Sequence, residues 1–499
     1  MNKKKVVVIG AGFSGMSVAS FLAKAGYEVT ILEKHAMPGG RARKFSVDGF
    51  TFDMGPSWYW MPDVFERYFN QFGKTVSDYY TLQRLDPSYR IYWNDAPMDI
   101  PANYDALKQL FNELEPGSAE KLEQFIAEAS YKYKVGINKL VHKPGRSLTE
   151  FIDLDLISGL FKLDIFNSLQ SHVRALFKNK KIRQLLEFPV LFLGALAENT
   201  PALYSLMNYA DIIGGTWYPE KGIYEIVDAM YKVAVELGVQ FRFNEDVKEM
   251  VIKDGIAIGV KSNSPESLLS TSNYFEADIV VGSADYHFIE TRLLPKIYRS
   301  YSDNYWTTRV MAPSCLLYYV GLDKKLTNIT HHSLFFDTSF AAHGDEIYTS
   351  KQWPTNPLFY VSAPSVTDNT VAPTGCENLF FLIPISSGLT GDDEMLRDKY
   401  FDMIIKRMET HLKQSIKEHV IFRQSFSSSD FIGEYNAFKG NAYGLANTLL
   451  QTAILKPACK SKKVRNLFYT GQLTVPGPGV PPSLISGEVV AKEVMKAFK

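Results

Sequence analysis

Three glycines near the start of the chain have the spacing that a bound dinucleotide requires. They belong to the run Gly10-Ala11-Gly12-Phe13-Ser14-Gly15, which follows an apolar stretch from Val6 to Ile9. In such a run the first glycine makes a tight turn, the second lets backbone approach a diphosphate, and the third lets a helix pack close to a strand. The helix that follows would direct free N–H groups and a positive dipole end at the phosphates.

A carboxylate stands where it could bind the ribose of that dinucleotide. Met16 to Ala25 has helical spacing, and Tyr27 to Leu32 reads as a second strand that leads into Glu33. A carboxylate at this position accepts hydrogen bonds from both ribose hydroxyls and would repel a 2′-phosphate, which counts against NADP. The fingerprint alone does not decide between NAD and FAD.

The residues after Glu33 favour FAD. Gly39-Gly40-Arg41 follows Glu33 and Lys34 at a short distance. Two glycines permit close backbone approach, and Arg41 would bring a delocalised cation to an anionic diphosphate. An acid followed by Gly-Gly-Arg resembles the flavoprotein group that contains amine oxidases, protoporphyrinogen oxidases and carotenoid desaturases. A surface turn with an exposed arginine is the alternative.

The C-terminal residues offer a second seat for the cofactor. Residues 466–471 read as a short strand that ends in glycine, and a loop rich in glycine and proline follows over 476–482. From about Ser483 the pattern becomes helical. We expect this loop and helix N-terminus to place backbone N–H groups beside the flavin ring, where negative charge develops on reduction.

Along nearly its whole length the chain resembles bacterial-type phytoene desaturases of the carotenoid/retinoid oxidoreductase family. The matching stretches are GAGFSG with EKHAMPGGR, FTFDMGPSWYWMPDVFERYF (50–69), ENTPALYSLMNYADIIGGTWYPEKG (198–222), SAPSVTDNTVAPTGCENLFFLIP (362–384), FKGNAYGLANTLLQ (438–451) and NLFYTGQLTVPGPGVP. Many flavoproteins have an aspartate where this chain has Gln472.

The resemblance implies FAD contacts from separate parts of the chain, including a backbone contact from Val247 to the adenine edge. The expected FAD-binding residues are Gly10, Ala11, Gly12, Phe13, Ser14, Gly15, Glu33, Lys34, Gly40, Arg41, Gly55, Pro56, Ser57, Val247, Gly471, Gln472, Gly479, Val480 and Pro481.

The resemblance also implies the chemistry. Desaturation removes two hydrogens from a C–C bond flanked by alkenes, and we expect hydride transfer to flavin N5 with proton loss from the neighbouring carbon. Glu434 and Asp153 are candidates for stabilising a cationic intermediate, although Leu156 stands where the family's arginine partner is expected. The aromatic run 57–60 is a candidate tunnel wall, with plain core packing as the alternative. We find no nucleophile triad and no metal-ligand spacing.

Several alternatives stay open from sequence. The substrate is expected to be a C40 carotenoid, with quinone or oxygen as electron acceptor. The main expectation is stepwise conversion of phytoene toward lycopene. A later carotenoid desaturase, for instance one acting at the 3,4 bond of a hydroxylated carotenoid, would share every cofactor motif. A non-catalytic prenyl-lipid carrier on the same scaffold is a more distant alternative, because such carriers typically lose the intact fingerprint.

These elements predict an α/β protein with a Rossmann-type FAD-binding domain like those of amine oxidases and glutathione reductase. We expect that domain to be discontinuous, over 1–75, 220–300 and 430–499. A helical substrate and membrane-contact region would occupy 76–219, and a mixed α+β substrate domain 301–429. The segment from Leu156 to Phe188 is amphipathic and contains a basic stretch from Lys178 to Arg183, so it could lie in a membrane interface. The alternative is a buried helix pair with a solvated basic turn.

Composition sets the outer limits. The chain has 499 residues, 46% of them hydrophobic and 22% charged, with a formal net charge of zero. No basic excess suggests nucleic acid, and three distant cysteines suggest a reducing compartment. We see no signal peptide and no run of the roughly 18 apolar residues that a membrane span needs. The expected location is cytoplasmic, with peripheral attachment to a membrane.

Overall fold

The computed structural model describes residues 3–147, 150, 164, 167–194, 196–264, 272–448 and 451–499. The strands are β1 (Lys5–Ile9), β2 (Glu28–Leu32), β3 (Lys44–Val47), β4 (Phe50–Asp53), β5 (Leu82–Arg84), β6 (Tyr89–Tyr92), β7 (Met98–Ile100), β8 (Trp217–Pro219), β9 (Gln240–Arg242), β10 (Asp246–Lys253), β11 (Ile256–Asn263), β12 (Asn273–Glu276), β13 (Ile279–Gly282), β14 (Ser314–Leu322), β15 (His332–Phe335), β16 (Phe359–Ser362), β17 (Glu377–Ile385), β18 (Val420–Phe426) and β19 (Leu467–Tyr469). The α-helices are α1 (Phe13–Lys24), α2 (Pro62–Asn70), α3 (Tyr104–Leu114), α4 (Ser118–Asn138), α5 (Leu169–Leu176), α6 (Lys180–Glu187), α7 (Leu206–Ile212), α8 (Tyr224–Glu236), α9 (Tyr286–Phe288), α10 (Asp303–Thr307), α11 (Phe340–Tyr348), α12 (Glu394–Leu412), α13 (Ser428–Tyr435) and α14 (Val480–Ala497).

A parallel sheet carries both ends of the chain. Its strand order is β19-β13-β1-β2-β9, and every pairing is parallel. Four of the five residues of β1 are buried, as expected for a central strand covered on both faces. Because the strands are parallel, their carboxyl ends meet at one edge, and that edge is where ligands bind in open α/β sheets. The predicted Rossmann-type fold is confirmed.

The first and last long helices pack closely beside this sheet. Ser17 Oγ donates a hydrogen bond to Leu484 O over 2.7 Å. A Cβ added at Gly487 would lie only 2.5 Å from the Cβ of Ser17, so a side chain there would force the helices apart. The C-terminal helix begins at Val480, earlier than the expected start at about Ser483. Proline is tolerated in the first turn because those N–H groups have no partner within the helix.

A mixed seven-stranded sheet forms the second layer. Its order is β18-β14-β17-β16-β15-β6-β7, and only the β15–β6 pairing is parallel. Along β17, alternate side chains point into two different cores. Phe380 and Leu382 join the large core that also contains β1 and α1, whereas Leu379, Phe381 and Ile383 pack with α12. The sheet therefore has one face toward the cofactor domain's core and one covered by a helix.

The region expected to be helical also contributes strands. Within 76–219, β6 and β7 join the seven-stranded sheet, and β5 pairs with β8. The remaining described part is mostly helical, from α3 to α7. The sequence pattern did not predict these strand pairings, because β6 pairs with β15, which is distant in the chain.

The basic amphipathic segment is packed into the protein wherever it is described. Its apolar side chains are buried, among them Leu169, Val173, Phe177, Ile182, Leu185 and Phe188. Lys178 and Lys180 are exposed. For 169–190 this favours the buried helix pair with a solvated basic turn. Most of the earlier part of the segment, and with it Leu156, lies outside the described residues. Among the helices that are described, none is both long and apolar enough to cross a bilayer.

Candidate FAD site and apolar cavity

Glu33 lies against the glycine turn. Its Oε2 accepts a hydrogen bond from Ala11 N over 2.8 Å, and its Oε1 accepts one from His35 N over 3.0 Å. Burial raises the pKa of this carboxyl, and the two backbone donors act in the opposite direction. A buried carboxylate at the end of β2 retains lone pairs that can accept from ribose hydroxyls.

The glycines of the turn are required by their surroundings. Gly10 has φ +104°, which favours glycine. A Cβ added at Gly15 would lie 2.1 Å from Gly10 O, so the helix could not begin so close to the strand. A Cβ on Gly12 would meet nothing within 4 Å, which leaves open space on the side where a diphosphate would approach.

The Gly-Gly-Arg loop meets the same turn. Gly39 N donates to Ala11 O over 2.9 Å. A Cβ added at Gly40 would lie 3.5 Å from the Cα of Gly12, so the two loops approach each other through glycine backbone. Gly55 lies behind them, because a Cβ there would be 2.5 Å from Arg41 O. The predicted residues Gly12, Gly40 and Gly55 are therefore neighbours.

Arg41 is a buried cation without a carboxylate hydrogen-bond partner in the described part of the chain. Its Nη2 donates to Asn441 O over 3.2 Å, and Nε is buried without any partner there. If the Gln472 amide is turned so that its oxygen faces Arg41, both Nη atoms donate to it over 3.1 Å. Burial lowers the pKa of the guanidinium, and Asp285 opposes that effect. A buried guanidinium that faces mostly neutral oxygens fits an anionic diphosphate.

The C-terminal loop reaches the glycine turn. A Cβ added at Gly471 would lie 3.2 Å from Ser14 Oγ, and Gly471 N donates to Ser486 Oγ over 3.0 Å. Ser14 Oγ is also 2.9 Å from Ser283 Oγ, at the end of β13. The loop then runs to Gly479, which caps α14 ahead of Val480 and Pro481. Both chain ends thus border one site, and the residues present fit FAD.

Four more residues predicted to bind FAD border this region. Val247 on β10 is buried in the same apolar cluster as Ile9 and Leu32, the last residues of β1 and β2. Lys34 Nζ donates to Gly433 O over 3.0 Å, and burial lowers its pKa. Pro56 and Ser57 follow Gly55 and are partly buried.

Of the two candidate catalytic acids, Glu434 and Asp153, only Glu434 lies among the described residues. Glu434 Oε2 accepts from Arg43 Nη2 over 2.8 Å, and its side chain is 45% exposed. Although burial acts in the opposite direction, Arg43 lowers the pKa of Glu434. The backbone carbonyl of Glu434 also lies 3.1 Å from His35 Nε2, so this residue sits on the Glu33 side of the site and not on the cavity described below. Asp153 lies outside the described residues.

An apolar cavity with a volume of about 60 Å³ lies beside the seven-stranded sheet. Its walls are made by β15, β16, β17 and α11, together with neighbouring segments that include Phe188, Pro313 and Tyr443. The lining residues are Phe188, Leu191, Pro313, Leu334, Phe336, Phe340, His343, Gly344, Ile347, Tyr348, Leu358, Phe359, Tyr360, Leu382, Pro384 and Tyr443.

The polar groups in this wall are engaged by protein. His343 Nδ1 accepts from Leu358 N and its Nε2 donates to Pro384 O, both over 3.0 Å. Tyr348 Oη donates to Leu191 O over 3.0 Å, and Tyr360 Oη lies 2.7 Å from His332 Nδ1. Burial lowers the pKa of His343 to about 4, so its imidazole is neutral. The wall suits a hydrocarbon.

One loop links the cavity to the cofactor site. Asn441 O accepts from Arg41, and Asn441 Oδ1 accepts from Gly444 N over 2.9 Å. Tyr443, between them, lines the cavity. The sequence analysis matched residues 438–451 to the resembling family but did not predict that Asn441 or Tyr443 belongs to a site. The signal available in the sequence was the glycine-containing stretch 441–447, which has an asparagine at each end.

The aromatic run 57–60 backs the cavity and does not line it. Trp58 stacks on His332 with ring centroids 4.2 Å apart, and His332 contacts the cavity residue Tyr360. Tyr59 and Trp60 are buried in the main core. Residues 57–60 therefore do not line this cavity, and their expected role as a tunnel wall near the flavin stays a prediction.

Comparisons with known proteins agree with this geometry. A sequence model described as "Flavin containing amine oxidoreductase" matches residues 13–495. A carotenoid 3,4-desaturase of Haloarcula japonica is 39% identical over 499 residues, covering 99% of each chain. A zeta-carotene-forming phytoene desaturase of Myxococcus xanthus is 29% identical, covering 99% of this chain and 94% of its own. The crystal structure of an oxidoreductase from Methanosarcina mazei is similar with a TM-score of 0.59 at 17% identity, covering 99% of this chain and 100% of that one.

Proposed function

Because the chain belongs to the flavin-containing amine oxidoreductase family, and within it to the FAD-dependent carotenoid desaturases, we propose that it introduces the 3,4 double bond of a carotenoid. The choice of this bond is supported by the 39% identity, over nearly the full length of both chains, with a relative named for that reaction. Relatives named for phytoene or diapophytoene desaturation are 28–30% identical.

The observation that carries the proposal is the apolar cavity connected by residues 441–444 to Arg41. A carotenoid has almost no polar atoms for a protein to bind, so shape and exclusion of water must position it. The apolar lining of the cavity suits part of such a chain. Its internally bonded His343, Tyr348 and Tyr360 leave an unreactive wall.

Bound FAD would supply the oxidising chemistry as a hydride acceptor at its N5. The residues of the chain hold and orient the substrate carbons, and they keep water from the developing positive charge. Alkenes that flank the reacting bond would delocalise that charge, and the neighbouring carbon would transfer its proton to a base outside the apolar wall. No strongly basic side chain in the described cavity wall is needed to break a C–H bond directly.

A second candidate is the stepwise desaturation of phytoene toward lycopene. The cavity wall favours it in one respect, because His343, Tyr348 and Tyr360 are already bonded to protein and offer no free partner to a substrate hydroxyl. Phytoene has no hydroxyl. The Myxococcus relative, named for a phytoene reaction, supports the same candidate.

We also propose the domain boundaries, a peripheral contact with a membrane and the class of electron acceptor. The FAD-binding domain comprises 1–75, 220–300 and 430–499, supported by the strands that these segments supply to the parallel sheet. Residues 76–219 and 301–429 form the substrate region, supported by the sheet that both share. The substrate's insolubility in water supports peripheral contact with a membrane, and quinone or oxygen is the proposed electron acceptor.

Expression in bacterial hosts that accumulate different carotenoids tests these choices. One host accumulates phytoene, a second lycopene, and a third a 1-hydroxylated lycopene. Pigments are separated by chromatography and identified by mass and absorption. The 3,4 proposal expects a product two mass units lighter in the second or third host and unchanged phytoene in the first. Conversion of phytoene, with lycopene and the hydroxylated lycopene unchanged, would instead support stepwise desaturation of phytoene. A variant that does not bind FAD, such as Gly15→Ala, is the control in each host.

A further inference from the structure

Lys456 is a second buried cation, and the proposed reaction does not use it. The residue is 5% exposed. Its Nζ donates to Asn447 Oδ1 over 2.9 Å, and Asn447 is itself only 7% exposed. In the described part of the chain this is the only hydrogen bond of the ammonium group. Two of its three N–H donors are therefore free, which is costly for a buried group.

No charged side chain compensates Lys456 in the described part of the chain. Burial alone lowers the pKa of its ammonium group, to about 7. A buried ammonium without a counterion points to a ligand that carries or acquires negative charge.

Lys456 lies beside the loop 471–480, which borders the proposed FAD site. A Cβ added at Gly477 would lie 2.9 Å from Lys456 Nζ and 3.2 Å from Asn447 Oδ1. Gly477 has φ +141° and lies between Gly471, which touches Ser14, and the start of α14. The ammonium group thus lies against the backbone of the loop that continues from the diphosphate end of the site.

The segment 441–447 connects two buried cations. At one end Asn441 O accepts from Arg41, and at the other Asn447 Oδ1 accepts from Lys456. Gly444, between them, approaches Gln472, because a Cβ there would be 2.8 Å from Gln472 O. The 441–447 segment and the 471–480 loop therefore both connect the proposed diphosphate site at Arg41 with Lys456.

We propose that Lys456 contacts the flavin ring and holds a positive charge against its pyrimidine edge. Negative charge would collect at that edge when flavin is reduced, and Gly477, beside Lys456, lies two residues before Gly479, the N-cap of α14. The ammonium group raises the reduction potential of bound FAD and makes it a better hydride acceptor. This inference rests on FAD as cofactor and not on which carotenoid bond is oxidised.

The test measures the flavin without any carotenoid. Lys456→Met removes the charge at similar length, Lys456→Gln also keeps a donor for Asn447, and Lys456→Arg keeps the charge. Lys463→Met, at an exposed position nearby, is the matched control. Each protein is loaded with FAD, and its midpoint potential is measured by equilibration with a reference dye. The affinity for sulfite, which adds to N5 and leaves negative charge on the ring, is a second readout.

We expect Lys456→Met and Lys456→Gln to shift the potential to more negative values and to weaken sulfite binding by about tenfold or more. Lys456→Arg and Lys463→Met should match the parent protein in both readouts. A folded, FAD-loaded Met or Gln variant with the parent's potential would overturn the proposal. Because no carotenoid is present, that result would leave the proposed desaturation intact.

Discussion

The backbone N–H of Ala11 donates a hydrogen bond to Glu33 Oε2 over 2.8 Å, so the glycine turn and the acid at the end of the second strand form one unit. Glu33 Oε1 accepts from His35 N as well. The carboxylate is therefore fixed before any ribose arrives, and binding does not have to order it.

Glu33→Ala should weaken FAD binding and loosen the turn. It removes a charged acceptor for Ala11 N and for ribose hydroxyls, and each such hydrogen bond contributes about 1.5–3 kcal/mol, or roughly 10- to 100-fold in affinity. FAD affinity is measured by flavin fluorescence quenching. Glu28→Ala, an exposed acid on the same strand, should bind like the parent. Equal affinity in Glu33→Ala would remove the ribose role.

Arg41→Met should lower FAD affinity by about 10- to 100-fold, because a buried guanidinium bound to phosphate oxygen contributes about 1.5–3 kcal/mol. Isothermal titration of the FAD-free protein gives the affinity. The apo protein should be as stable as the parent or more so, since an uncompensated buried charge is removed. Arg465→Met, at an exposed position, is the control. Unchanged affinity in Arg41→Met would contradict the diphosphate assignment.

Gly15→Ala should abolish FAD binding and destabilise the fold. The new Cβ would lie 2.1 Å from Gly10 O, a backbone atom that cannot move without opening the turn. Gly433→Ala is the matched control, because it lies within α13 and its Cβ would meet nothing within 4 Å. There alanine should stabilise by about 0.5–1 kcal/mol. Urea denaturation compares the two, and similar effects in both would contradict the packing described here.

Ile347→Trp should fill the cavity without disturbing the cofactor. Ile347 lies on α11 in the cavity wall and is 7% exposed. We expect kcat/KM for the carotenoid to fall at least about tenfold while FAD content stays at the parent's level, with overpacking costing about 1–3 kcal/mol of stability. Ile297→Trp, at a site 76% exposed, should change neither. Full activity of Ile347→Trp would place the substrate elsewhere.

The stability of the protein should fall as the pH drops below about 6.5, in part because of His343. Burial lowers its pKa to about 4 from an ordinary 6.5. The unfolded chain therefore binds a proton that the folded protein binds only near pH 4, which costs up to about 1.4 kcal/mol per pH unit in that interval. Urea denaturation across this range should show a shallower slope for His343→Asn. An unchanged slope would mean that His343 is protonated in the folded state.

Local patterns predicted the cofactor half of the molecule well. Glycine spacing, an apolar run and a terminal acid are all close in sequence, so β1, α1, β2 and Glu33 could be read directly. The mixed α+β character expected for 301–429 is also present, in elements such as β14 and α12.

The substrate half depends on contacts that no local pattern encodes. The pairing of β6 with β15 joins residues far apart in the chain, and it places Trp58 behind the cavity wall and not in it. Lys456 reads as an ordinary loop lysine in the sequence. Only the fold shows that it is buried beside Gly477.

A single anaerobic turnover tests the central claim most directly. Protein loaded with oxidised FAD is mixed with its carotenoid in lipid vesicles, and reduced flavin and product are both quantified. The account predicts one new carbon–carbon double bond for each FAD reduced, and neither in Gly15→Ala. Carotenoid conversion without flavin reduction, or a folded flavoprotein that leaves every supplied carotenoid unchanged, would contradict it.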